Sequence, residues 1–203
     1  MTHQLFCKPI PGMQENETLF LLPDKDLNGT ISFRTLSLTN DIDTIHNWVN
    51  QPYTRRYWQM NGDKQTLYKT YATLLVNPSA HSFIGLFDGS MVCQIDCYHV
   101  SVDELKDHVD GSAGNCGLHI LMLPPRQSQK GLTEAMLNAF IKFFFSFGAA
   151  QILFGEPDHR NSAANLAAKR TGFEFLKTIK LSYKTANLYA ITKQQFYATY
   201  PIL

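Results

Sequence analysis

At 203 residues, with 44% hydrophobic and 17% charged side chains, the chain is long enough to bury a substantial core and too apolar for general disorder. A formal net charge of +1 gives no electrostatic case for nucleic acid or an anionic membrane as main partner. No apolar run approaches the roughly 18 residues of a membrane span, and the start, MTHQLFCKPIPGMQ, lacks a leader's basic-then-apolar pattern, so a cytoplasmic protein with a small-molecule partner is expected. Four cysteines, Cys7, Cys93, Cys97 and Cys116, form no CxxC pair and read as reduced, mostly buried thiols.

The first 28 residues mix Pro9, Pro11, Gly12 and Pro23 with one apolar patch and read as an N-terminal arm carrying at most a short strand; a single domain is expected over 29–203. The run GTISFRTLSL predicts a strand, and Thr39-Asn40-Asp41 before IDTIHNWV predicts a capped helix that ends near Pro52. In YTRRYWQM, two arginines, Arg55 and Arg56, sit among Tyr53, Tyr57 and Trp58 between elements, a composition that suits a pocket wall as well as core. A second helix follows over 64–75, stopped by Asn77-Pro78. Asp88-Gly89 between two apolar runs is a hairpin signal, and the polar segment 101–114 reads as a loop or short helix.

The stretch 116–147, CGLHILMLPPRQSQKGLTEAMLNAFIKFFFSF, organises the rest. It predicts a strand with one histidine, His119, then a loop broken by Pro124 and Pro125, then Gly131 before a long helix. Such a helix start leaves backbone N–H groups without partners and adds positive potential, which makes an anion site. Beyond it come the strand QILFGEPD, a short helix SAANLAAKRTGF with Gly172 as its C-terminal cap, and two antiparallel strands turning near 183–185. The order of elements predicts an α/β (α+β mixed) domain, a mainly antiparallel twisted sheet flanked by helices.

Taken alone, His119 reads as a core residue rather than a catalyst, pointing to the opposite face from Leu118 and Ile120. Asp158, at the carboxyl end of the following strand, brings it into question, because ligands in open sheets gather at strand carboxyl ends and an imidazole near a carboxylate is a general base at neutral pH. Asp158 also reads as a helix cap beside Asn161. A metal site from Cys97, His99, Cys116 and His119 fits no zinc spacing, and no metal is expected.

The segment ending QKGLTEAM and the block NSAANLAAKRTGFEF resemble the GNAT acyltransferase superfamily. More narrowly, HNWVNQPYTRRYW, IDCYHVSVDE, GLHILMLPP, GEPDHRN and KTANLYAITKQQF are similar to its siderophore-biosynthesis branch, which acylates an N-hydroxylysine or N-hydroxydiamine to a hydroxamate. The resemblance implies an acyl-CoA co-substrate, acetyl or succinyl, a hydroxylated amine as the other substrate, and a monomer or weak homodimer. It implies a pyrophosphate loop in which Gln129, Lys130, Gly131, Leu132 and Thr133 offer backbone N–H groups, though the superfamily pattern is met fully only at Gly131, with Ser128 and Thr133 at the other two places. Strand donors at Leu121, Met122 and Leu123 would polarise the thioester, and Asn161 would touch the cofactor. His119 and Asp158 are the implied catalytic pair, and Trp48, Arg55, Trp58, Asp96 and Lys184 the implied acceptor pocket. Where many superfamily members have a tyrosine acid for the thiolate, this chain has Ala168. An aminoglycoside-type N-acetyltransferase and a non-catalytic acyl-CoA-binding module are the rival readings.

Overall fold

The computed structural model describes residues 17–199. Its centre is strand β5 (Asn115–Met122), which pairs antiparallel with β4 (Ser90–His99) on one side and parallel with β6 (Ile152–Gly155) on the other. Around them runs one eight-stranded sheet of order β1-β2-β3-β4-β5-β6-β8-β7, all antiparallel apart from the β5·β6 pair. The other strands are β1 (Thr18–Asp24), β2 (Gly29–Thr35), β3 (Ala80–Phe87), β7 (Glu174–Lys180) and β8 (Thr185–Thr192).

Six helices are described: α1 (Ile42–Val49), the single turn α2 (Pro52–Arg55), α3 (Lys64–Val76), α4 (Leu132–Ser146), α5 (Ser162–Arg170) and α6 (Lys193–Thr199). Neither α2 nor α6 follows from the sequence pattern, being too short to show a period. The 101–114 segment forms two 3-10 turns, Val100–Val102 and Glu104–Asp107. The hairpin at Asp88-Gly89 forms as expected, with positive φ at both residues.

The expected arm is divided. Thr18–Asp24 is strand β1, laid against β2 with Phe20 ring to ring with Phe33 at 6.1 Å, so this part belongs to the sheet. The expectations for 1–16, including a reduced Cys7, lie outside the described residues. Cys93, Cys97 and Cys116 are buried and form no disulfide among the described residues.

Helix α4 is apolar around most of its circumference because it is covered on nearly all sides. Phe140 and Phe143 meet Phe33 and Phe83 edge-on, tilted or stacked at 5.5–5.9 Å, and Phe145 meets Phe196 of α6 at 5.7 Å. Each fully buried phenylalanine contributes on the order of 1.5–3 kcal/mol by removal from water. Facing β3 and β4, Gly85 gives α4 room: a Cβ there would lie 2.5 Å from Met136 Cε. This packing fixes where the first turn of α4, the place expected to hold an anion, can sit. On the opposite sheet face, α1 is pinned by a buried bidentate pair, Arg34 to Asp41, with both N···O distances 2.7 Å.

Candidate active site

Strand β5 outruns β6. Their pairing stops at Leu118↔Gly155, while β5 continues to Met122, still bonded to β4. Past that point the sheet opens, and a cleft begins on the edge of β5 that β6 has left. Alternation decides which backbone groups face it. Leu123 N–H donates to the Val92 carbonyl at 2.8 Å, so Leu121 and Leu123 both point into the β4 ladder. Met122 points the other way, and its carbonyl accepts the Tyr53 hydroxyl at 2.7 Å. Of the three strand donors expected from the sequence, Met122 alone is presented to the cleft. Leu121 and Leu123 are not, because a strand offers any one edge only every second N–H.

At the far end of the cleft, Gly131 caps α4 with φ +85, where a side chain would be strained. The N–H groups of Gln129, Lys130, Gly131, Thr133 and Glu134 have no acceptor among the described residues, whereas Leu132 N–H is turned back to the Gln129 carbonyl at 3.3 Å. The loop ahead of α4 therefore leaves five amides free of acceptors among the described residues, and Leu132 is not one of them. Five unpaired amides at a helix start fit a pyrophosphate.

Near the mouth of the opening, His119 stands on the sheet face it shares with Asp96, its cross-strand partner. Its Nε2 is bonded to Glu156 Oε1, and the Tyr98 hydroxyl is 3.5 Å from the same nitrogen. Gly117 makes that approach possible, since a Cβ there would lie 2.3 Å from the Tyr98 ring. The Trp58 ring stands edge-on to the imidazole at 6.1 Å. Lys184 Nζ lies 3.5 Å from Glu156 Oε1, the oxygen that also meets His119. About a third of the His119 side chain remains exposed (34%) against 2% of the Glu156 side chain. With Nε2 engaged, Nδ1 is the nitrogen left for a substrate; it has no partner among the described residues.

Burial penalises charge on both members of the pair, but each offsets it for the other. For His119, burial works against the imidazolium; the Glu156 carboxylate and Asp96 outweigh it, and the pKa is raised above 6.5. For Glu156, burial works against the carboxylate, yet His119 and Lys184 bring the pKa down to about 2. Asp96, buried and held by Gln94 at 2.5 Å, is pushed up to about 6 by desolvation. Gln94 is itself fixed by Ser82 at 2.7 Å and by the Tyr71 hydroxyl of α3 at 3.1 Å.

The expected pairing of His119 with Asp158 is not formed. The Asp158 carboxylate accepts from Arg160 Nε at 3.0 Å, Arg160 Nη2 at 2.9 Å and Arg160 N–H at 2.8 Å, and the Arg160 bonds hold its pKa at about 2. A carboxylate so occupied is a turn-former and a poor base. Glu156, two residues earlier, takes the place on the imidazole. The sequence carries one signal for it: Glu156 follows directly on β6, the parallel neighbour of β5, but nothing local shows which of two nearby acids will reach His119.

The remaining expectations divide in the same way. Trp48 is 4% exposed in the main core, so it is no pocket residue. Arg55 is exposed at the end of α2. Asn161 caps α5, its Oδ1 accepting from Ala164 N–H at 3.2 Å. Lys184 is committed to Glu156, with 10% of its side chain exposed. The YTRRYWQM segment does wall the cleft: besides Tyr53 and Trp58, the Tyr57 hydroxyl lies 3.3 Å from the Arg160 carbonyl and Gln59 Nε2 3.4 Å from the Tyr183 carbonyl. Ala168 packs against the core and offers no acid. Among the described residues, no group of three or more His, Cys, Asp or Glu side chains is placed to hold a metal, and no helix is long and apolar enough to cross a membrane.

Comparison with known proteins bears on this arrangement. An N-hydroxyputrescine acetyltransferase of Acinetobacter baumannii is 26% identical over 166 residues, 82% of this chain and 79% of the relative. A lysine N-acyltransferase MbtK of Mycobacterium sp. (strain MCS) is 22% identical over 155 residues, 75% of this chain and 63% of its own length. In fold, the chain superposes on an uncharacterised Bacillus halodurans protein with TM-score 0.83 at 23% identity, over 91% of this chain and 95% of that one. It also superposes on the aminoglycoside acetyltransferase AAC(6')-Ib in complex with coenzyme A, with TM-score 0.76 at 19% identity, over 84% and 99%. The model of the acetyltransferase (GNAT) domain matches residues 37–181, well over half of the sequence, and the chain belongs to that family of N-acyltransferases.

Proposed function

We propose that the protein transfers an acyl group from acyl-CoA to the hydroxylamine nitrogen of an N-hydroxydiamine or N6-hydroxylysine, forming a hydroxamate of the siderophore type. The observation that carries this reading is the cleft itself. It has unpaired amides for a pyrophosphate at one end, a Glu156-bound imidazole at the other, and one strand donor, Met122, between them. Met122 lies three residues along β5 from His119, a span of about 10 Å. Among relatives, the names N-hydroxyputrescine acetyltransferase and N(6)-hydroxylysine O-acetyltransferase (Escherichia coli, 25% identical over 99 residues) support a hydroxylated acceptor.

The donor's pyrophosphate would rest on the N–H groups of Gln129, Lys130, Gly131, Thr133 and Glu134, and its thioester carbonyl on Met122 N–H. A fixed donor of this kind commonly contributes about 2.7–4 kcal/mol to the transition state. The acceptor nitrogen attacks the carbonyl carbon, forming the N–C bond as the C–S bond breaks. His119 Nδ1 takes the proton that nitrogen sheds, while Glu156 holds the ring and stabilises the resulting imidazolium. That proton then returns to the departing thiolate, which accounts for an acid at the site where Ala168 supplies none. A hydroxylamine is largely unprotonated at neutral pH, so the acceptor needs a placed base more than a strong one.

The test is a mass-spectrometric screen of acetyl-CoA and succinyl-CoA against hydroxylated diamines, N6-hydroxylysine and their unhydroxylated parents. Hydroxamate formed from a hydroxylated acceptor supports the reading. Acylation of aminoglycosides or unhydroxylated amines alone overturns it, as does failure of coenzyme A to raise the melting temperature.

A further inference from the structure

We infer that Lys184 is a positioning residue that acts on His119 through Glu156, and is not a contact to the substrate. This deepens the proposed acyl transfer and rests on that reading only for its kinetic consequence.

Three observations converge on it. Lys184 Nζ and His119 Nε2 approach the same atom, Glu156 Oε1, from different elements, the ammonium at 3.5 Å. The lysine side chain is 10% exposed and Glu156 2%, so this ammonium is directed at Glu156 inside the protein. The turn that carries it is built to hold still. Ser182 N–H and Oγ bond both oxygens of Glu104 at 2.8 and 2.5 Å, Leu181 N–H donates to the Lys184 carbonyl at 2.9 Å, and the ammonium lies 5.2 Å over the Tyr183 ring.

The consequence is a three-membered charge array in which one carboxylate is shared by two cations. Lys184 stands beside Glu156 whether or not His119 carries a proton and adds to His119 in favouring the carboxylate, which helps keep the neutral imidazole oriented with Nδ1 available. The same ammonium opposes protonation of His119, while Glu156 and Asp96 favour it. The charged and titratable groups around the imidazole are therefore Glu156 after β6, Asp96 and Tyr98 on β4, and Lys184 ahead of β8; Trp58 contributes only its ring. Removing the cation and removing the anion must move His119 in opposite directions.

The experiment is a proton NMR titration of the His119 ring in the free protein, assigned by loss of its signal in His119→Ala, which needs no substrate. The midpoint rises in Lys184→Met, falls in Glu156→Gln, and stays at the native value in Lys184→Arg, which keeps the charge. Should Lys184→Met fail to fold, Lys184→Gln carries the same sign. In kinetics, the acid limb of the pH profile of kcat/KM moves with the midpoint, and kcat changes more than the KM of either substrate. A His119 midpoint unmoved by loss of Lys184, or a Lys184 variant that raises only the acceptor KM, overturns the inference. An enzyme inactive on every hydroxylated acceptor while the midpoints move as stated contradicts the proposed function and leaves this inference standing.

Discussion

The two ends of the cleft are made of different material. The anion end is backbone: amides at the start of α4, exposed to solvent, aimed by a helix whose other face is locked among phenylalanines. The end proposed for acid–base chemistry is side chain: His119, Glu156 and Lys184 from three separate elements, each dependent on its neighbours' charge. Backbone amides keep their direction when exposed side chains change, so the first end should be less sensitive to substitution at exposed positions such as Gln129 and Lys130 than at Gly131. Buried charges do not, because removing one leaves another uncompensated.

That contrast can be broken at several points, the largest effects falling at the side-chain end. His119→Ala should lower kcat by roughly 10²–10⁴-fold, the usual worth of a general base, as read from initial rates of hydroxamate formation at saturating donor. Glu156→Gln should lower kcat by less than His119→Ala, because the base remains while its orientation and the stabilisation of its imidazolium are lost, with the acid limb of the rate profile moving to lower pH.

The same pair makes stability depend on pH in two windows. The folded pKa of Glu156 lies near 2, below its unfolded value, so its stabilisation is present above about 4.5 and is lost as pH falls towards 2. His119 has the opposite sign: its folded pKa is raised, so its contribution is full below about 6.5 and is lost as pH rises through the folded value. Melting temperature against pH should decline more gently below pH 5 in Glu156→Gln than in the native protein.

At the backbone end, Gly131→Ala places a side chain at φ +85, a strain of roughly 1–2 kcal/mol. The space itself is open, since the nearest atom to a Cβ would be Leu27 Cδ2 at 3.8 Å. The expected result is a lower melting temperature and a raised KM for acyl-CoA, with kcat nearly unchanged.

The same division explains what could be read from the sequence. The helix start at Gly131, the hairpin at Asp88-Gly89 and the cap at Gly172 are local: a glycine, its neighbours and a period announce them. The acid–base end is a matter of register. Whether Glu156 or Asp158 reaches His119 depends on where β6 parts from β5 and on Arg160 capturing the nearer-looking acid, and neither is written in any short segment. Trp48 belongs to the core and not the pocket for a related reason: an aromatic residue on an amphipathic helix fits either until the sheet beneath it is known.

The most direct measurement compares the pH profiles of kcat/KM for Glu156→Gln and Asp158→Asn beside the native enzyme, with one hydroxylated acceptor and one acyl-CoA. If Glu156 is the carboxylate that serves His119, Glu156→Gln lowers the rate and shifts the acid limb downward. Asp158→Asn, which disturbs the Arg160 turn and the His159 contact but not His119, keeps the native limb and a near-native rate. A collapsed rate in Asp158→Asn together with a native profile in Glu156→Gln would contradict the account.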